Sequence, residues 1–109
     1  MANIFRTFTA NNIGTSLTSV GAYNSGGNTA TIIGLTLSNT TNTAVLVNVA
    51  HKSNTQTTFI IKNAPITAGS SLVPIGGDQK IVLHGESMQV SANTASAVDV
   101  VMSLLIQSP

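Results

Sequence analysis

The run Ala97–Gln107, AVDVVMSLLIQ, constrains the fold more than any other stretch of this chain. Val98, Val100, Met102, Leu104 and Ile106 occupy every second position; Asp99, Val101, Ser103, Leu105 and Gln107 occupy the others. A strand presents successive side chains to opposite faces, so this run builds one continuous apolar face. Wound as a helix at about 100° per residue, the same apolar positions wrap around the cylinder and leave no stripe. A strand of this length is expected to cross its domain centrally. Its second face is also apolar, at Val101 and Leu105, and requires a cover from the N-terminal segment or from another subunit.

The rest of the chain repeats this pattern in shorter form. ATIIGLTLSN (30–39) sets Ile33, Leu35 and Leu37 on one face and Ile32 and Gly34 on the other. TAVLVNVA (43–50) sets Val45, Val47 and Val49 against Leu46. The polar link Asn39-Thr40-Thr41-Asn42 between the two runs predicts an antiparallel hairpin. Further short strands are expected over 57–63, 71–75, 79–83 and 88–92. Pro65 predicts an interruption, because it lacks the N–H that a central ladder uses. Residues 3–9 offer a short mixed segment and Asn11, Asn12 and Gly14 a turn, while 15–22 forms an edge strand or an arm.

Composition agrees with this reading. Ser, Thr and Asn supply more than a third of the chain. Thr, with Val and Ile, favours pleated half-buried surfaces, and Ser and Asn favour turns. Seven to nine short strands without helical interludes predict an all-β chain: a single-domain antiparallel β-sandwich or jelly-roll-like barrel. Residues 1–29 are expected as an N-terminal arm or edge segment, packed on the domain or on a neighbour, and residues 30–109 as the sandwich core.

Charge excludes more than it suggests. Four Lys and Arg against three Asp and Glu give +1. The scattered cations Arg6, Lys52, Lys62 and Lys80 make no basic stripe for phosphates, so no direct nucleic-acid contact is expected. Weak self-repulsion suits a chain that lives inside an assembly. The chain has no cysteine, which removes disulfides and thiol chemistry. MANIFRTFTANN has no apolar core of signal-peptide length and no stretch approaches a membrane span, so synthesis in the cytoplasm without membrane attachment is expected.

The titratable residues form no recognisable catalytic motif. Asp78, Glu86 and Asp99 are the only acids, and a paired-carboxylate mechanism needs two of them facing one cleft. His51 and His84 sit at strand ends without HExxH spacing, and read as polar caps on turns. Gly76-Gly77 has neither the glycine spacing nor the following helix of a phosphate-binding loop; tight turn geometry accounts for it. No catalytic residue, cofactor or metal is therefore assigned. Candidate interface residues are Ile4, Phe5 and Phe8, which either drape over a neighbour or pack on the domain's own core. Tyr23 joins them as the lone loop aromatic, an anchor or a partly buried side chain, and Val101 and Leu105 as the uncovered face of the last strand.

Three segments, ATIIGLTLSNTTNTAVLVNV (30–49), FIIKNAPITAGSSLVPIGGDQKIVL (59–83) and ASAVDVVMSLLI (95–106), resemble small structural proteins of tailed bacteriophages, cyanophages in particular. The stretch Gly76-Gly77-Asp78-Gln79-Lys80 is the most particular feature of the likeness. The resemblance implies a non-enzymatic virion part, foremost a capsid cement or decoration subunit. Such a subunit is expected to contact copies of itself, as a dimer or trimer, and the major capsid protein. The alternative station is the neck, tail or fibre, with host-surface glycans as further contacts.

Overall fold

In the computed structural model, residues 3–20, 27–53, 55–75 and 81–107 are described, and they form nine strands. These are β1 (Asn3–Ile13), β2 (Thr18–Ser19), β3 (Thr29–Asn39), β4 (Val45–Lys52), β5 (Thr57–Ile66), β6 (Ser71–Ile75), β7 (Ile81–His84), β8 (Ser87–Ala92) and β9 (Val98–Gln107). One sheet has the order β1-β9-β3, with β6 and β7 in file along the far side of β3; the other has the order β2-β8-β4-β5. Every pairing is antiparallel.

The pairings are nested. β4 pairs with β5, β3 with β6 and β7, β2 with β8 and β1 with β9. The chain thus behaves as one long hairpin that doubles back between β4 and β5 and is then rolled, so that successive pairs fall in alternate sheets. That is the path of a double-sheet jelly roll, with β6 and β7 sharing one strand position. The protein is an all-β antiparallel sandwich with a jelly-roll chain path.

Alternation places the core where the two sheets face each other. β9 runs between β1 and β3, and Val98, Val100, Met102 and Leu104 are buried, with Ile106 packed at the margin. Ile32, Leu35 and Leu37 extend this face across β3; Val45, Val47, Val49, Met88 and Val90 meet it from the second sheet. The accessible surface, 5661 Å², matches what a well-packed domain of this mass exposes.

Four local expectations are corrected. The runs 30–39 and 43–50 do not pair with each other; they lie in different sheets, and the link 40–44 crosses the sandwich edge. Asn39 directs that crossing: its Nδ2 donates to Thr43 O (2.8 Å) and Ile66 O (3.0 Å), while its Oδ1 accepts from Thr41 N (2.9 Å) and Thr41 Oγ1 (2.7 Å). Ile33 does not share the buried face of Leu35 and Leu37. A bulge between Ile32 and Gly34 shifts the phase, so Ile32 takes the core position and Ile33 is half-buried. Pro65 does not end its strand, because β5 is an edge strand and needs no outward N–H there. Asn11 and Asn12 do not turn the chain; they form a bulge within β1.

Four of the links that cross between sheets, 14–17, 40–44, 67–70 and 93–97, gather at one end of the sandwich. They are stitched by Ala92 N to Gly14 O (2.8 Å), Ala97 N to Ile13 O (3.0 Å), Thr40 N to Ala97 O (3.0 Å) and Asn39 N to Ser70 O (2.9 Å). Ser53 and Gln56, joined by the bond from Ser53 N to Gln56 O (2.9 Å), and Gly85, held at φ 74 in the link from β7 to β8, lie at the other end.

Candidate interaction surface

The outer face of the first sheet is built by the residues that β9 and its neighbours point away from the core. Register fixes its rows. Phe5, Leu105, Thr31 and Val82 align across β1, β9, β3 and β7. Two residues along, Thr7, Ser103 and Gly34 align, and beyond them Thr9, Val101 and Thr36, with Val73 on the adjoining stretch of β6. Rows on one face stand about 7 Å apart. Two apolar rows therefore flank a central row of small side chains.

Exposure picks out this face. Phe5 is 74% exposed, Val73 56%, Val82 53% and Val101 46%, and Leu105 lies half-buried between Phe5 and Thr31. Single exposed apolar residues are ordinary; an aligned set on one sheet face marks a contact surface. On the second sheet Leu46, Phe59 and Ile60 are less exposed, at 37–40%, and Lys62 Nζ stands 4.4 Å from the centroid of the Phe59 ring.

Of the six residues singled out from the sequence, Phe5, Val101 and Leu105 come together here. Ile4 and Phe8 point to the opposite side of β1. Ile4 is 50% exposed, beside Ile106, where the short β2 gives little cover; Phe8 packs against the core with Arg6 Cζ 5.3 Å from its ring centroid. Tyr23 and the segment Gly76-Gly77-Asp78-Gln79-Lys80 lie outside the described residues. Val73 and Val82 were not singled out. Val82 was legible, because Ile81 and Leu83 on the core face force the residue between them outward.

The titratable groups are dispersed. Glu86, in the link from β7 to β8, receives the His84 backbone N–H at 3.0 Å and approaches His51 Nε2 at 3.3 Å, bridging the two sheets at one end. The His84 N–H is the largest influence on the Glu86 carboxyl; desolvation pushes the other way, and the His51 imidazole adds to the His84 effect, so that the carboxyl is held below its usual range. Thr29 Oγ1 lies 3.4 Å from His84 Nδ1. Asp99 sits at the far end of β9, about 26 Å along the sheet from the His84 row, and its Oδ1 accepts the Asn12 N–H. These two acids do not face one cleft. A shallow groove of about 300 Å³ beside Asp99, lined by Thr9, Asn11 and Val101 among others, is the notch left where the bulge lifts β1.

The chain matches no protein-family model, no curated protein and no solved structure. The first sheet presents an apolar outer face; among the described residues no group of three or more His, Asp and Glu is placed to hold a metal, and no helix is long and apolar enough to cross a membrane.

Proposed function

We propose that this chain is a non-enzymatic structural subunit of a tailed-phage virion, a cement or decoration protein that binds the major capsid protein through the outer face of its first sheet. The observation that carries the reading is the aligned exposed set Phe5, Val73, Val82 and Val101 on a nearly neutral sandwich. A surface of this kind buries modest apolar area per copy. On a symmetric shell, many weak contacts add through effective concentration, so one small domain can brace the seams between larger subunits. The likeness of segments 30–49, 59–83 and 95–106 to small phage structural proteins supports the same reading.

Quantitative mass spectrometry of purified virions tests it. On the order of hundreds of copies per particle support the shell station, whereas about six to twelve move the protein to the neck or tail. Absence from virions overturns both. The companion variant is Val82→Ser with Val101→Ser: the exposed positions tolerate the change, and retention on the particle is expected to fall at least about tenfold.

A further inference from the structure

Each sheet of this sandwich has two edges, and among the described residues three of the four edge positions are blunted. β2 is two residues long. β5 carries Pro65 and is broken by register shifts opposite Val47, Val49 and Ala50. The edge beside β3 is divided between β6 and β7, of five and four residues. β1 is different. It is eleven residues long, it pairs with β9 in unbroken register from Asn3 to Ala10, and its only bulge lies beyond that stretch. The segment carries no proline, and its one charge, Arg6, lies over the Phe8 ring. Long, regular edges with a single charge and no proline are what sheet proteins ordinarily avoid presenting to water.

We infer that β1 is the dimer seam of this protein: it pairs antiparallel with β1 of a second copy about a two-fold axis at Thr7, joining the two first sheets into one. The register follows from the residues. A two-fold axis perpendicular to the sheet keeps outer side chains beside outer ones only when facing positions share parity. Centring on Arg6 sets two guanidinium groups face to face. Centring on Phe5 or Phe8 shortens the pairing or runs it into the Asn11–Asn12 bulge. Centring on Thr7 uses the regular stretch from Ile4 to Ala10, with Ile4 opposite Ala10, Phe5 opposite Thr9, and Arg6 opposite Phe8 of the other copy, which suits a cation above a ring.

A second copy fits better than an unrelated strand because the seam needs no charge complement, and a chain of net charge +1 offers little repulsion to its own copy. Seven facing residues make a contact about 24 Å long and bury on the order of 800 Å² in total, the size of a weak pair that gains persistence from a lattice. The joined sheet also doubles the outer apolar face. Dimerisation is read in solution without particles, so this inference and the virion reading stand or fall separately.

The absence of cysteine makes the test direct. Facing residues in an antiparallel pair have Cα atoms about 5 Å apart, within disulfide reach, whereas Thr9 is displaced about 13 Å from Thr9 of the other copy. Under mild oxidation of the full chain, Thr7→Cys is expected to cross-link at least about tenfold faster than Thr9→Cys. Sedimentation of the wild type is expected to show a monomer–dimer equilibrium between about 1 and 100 μM. Thr7→Lys and Thr7→Glu, substitutions at an exposed position, are each expected to be monomeric and to dimerise when mixed. A wild-type chain still monomeric at about 500 μM overturns the seam. Equal cross-linking at positions 7 and 9, or no association in the Lys–Glu mixture, overturns the register.

Discussion

The backbone N–H of Asn12 donates to Asp99 Oδ1 at 3.1 Å, from the edge strand of the first sheet to a side chain of the strand beside it. The device recurs in the second sheet, where the N–H of Asn63 on edge strand β5 donates to Asn48 Oδ1 on β4 at 2.9 Å. Both asparagines are left-handed, with φ 54 and 56, and both sit in bulges. The bulge removes one ladder bond and the neighbouring side chain replaces it. Asp99→Ala and Asn48→Ala are each expected to cost about 1 kcal/mol in urea unfolding, while Asp99→Asn, which keeps the acceptor, stays near wild type.

Asn39 is the buried polar residue on which the closed end depends. It is 3% exposed and makes four hydrogen bonds, tying its own strand's exit to Thr41, Thr43 and Ile66. Removing the amide strands several backbone groups away from water. Asn39→Ala is expected to destabilise by about 3 kcal/mol, and Asn39→Leu to be no better, in chemical denaturation.

Stability should depend on Glu86 at acid pH. Its carboxyl is depressed in the fold, first by the His84 backbone N–H and then by His51. A group depressed on folding stabilises above its unfolded value and loses that contribution as pH falls through its folded value. The loss therefore begins near the ordinary value of 4.5 and proceeds downward. Thermal melts across that range are expected to be flatter for Glu86→Gln than for wild type. His51→Ala should keep most of the slope, because the larger cause is backbone.

The bulge in β3 assigns unequal work to adjacent isoleucines. Ile32 is fully buried and Ile33 half-buried. Truncation to Ala is expected to cost about 3 kcal/mol at Ile32 and about 1 kcal/mol at Ile33, measured by urea unfolding. Equal costs would contradict the bulge register.

The legible parts of this protein were those set by strand periodicity. The β9 pattern required a central position, and Val45, Val47 and Val49 required a core face; both hold in the fold. Misread features were the ones that periodicity does not encode. A four-residue polar link serves a hairpin or a crossing equally well, and only the side-chain bonds of Asn39 decide for the crossing. Pro65 is compatible with a strand once that strand is known to be an edge, which is a property of the sheet and not of the segment. Bulges at Ile33 and Asn11–Asn12 insert one residue and reverse the phase beyond it. The outer face was half legible: Phe5, Val101 and Leu105 follow from alternation, but their alignment with Val73 and Val82 depends on pairings between strands far apart in the chain.

Nested strand pairing also dictates how this chain must find its shape. Among the described strands β4 and β5 are the only pair that closes locally, and each pair outside it waits on a longer stretch of chain being brought round. The outermost pair, Asn3 with Gln107, encloses nearly everything else. Loop-closure entropy then favours zipping from the middle outward and slow folding, at the unhurried end for a domain of this length. Until β9 is seated, β1 has no strand to lie against.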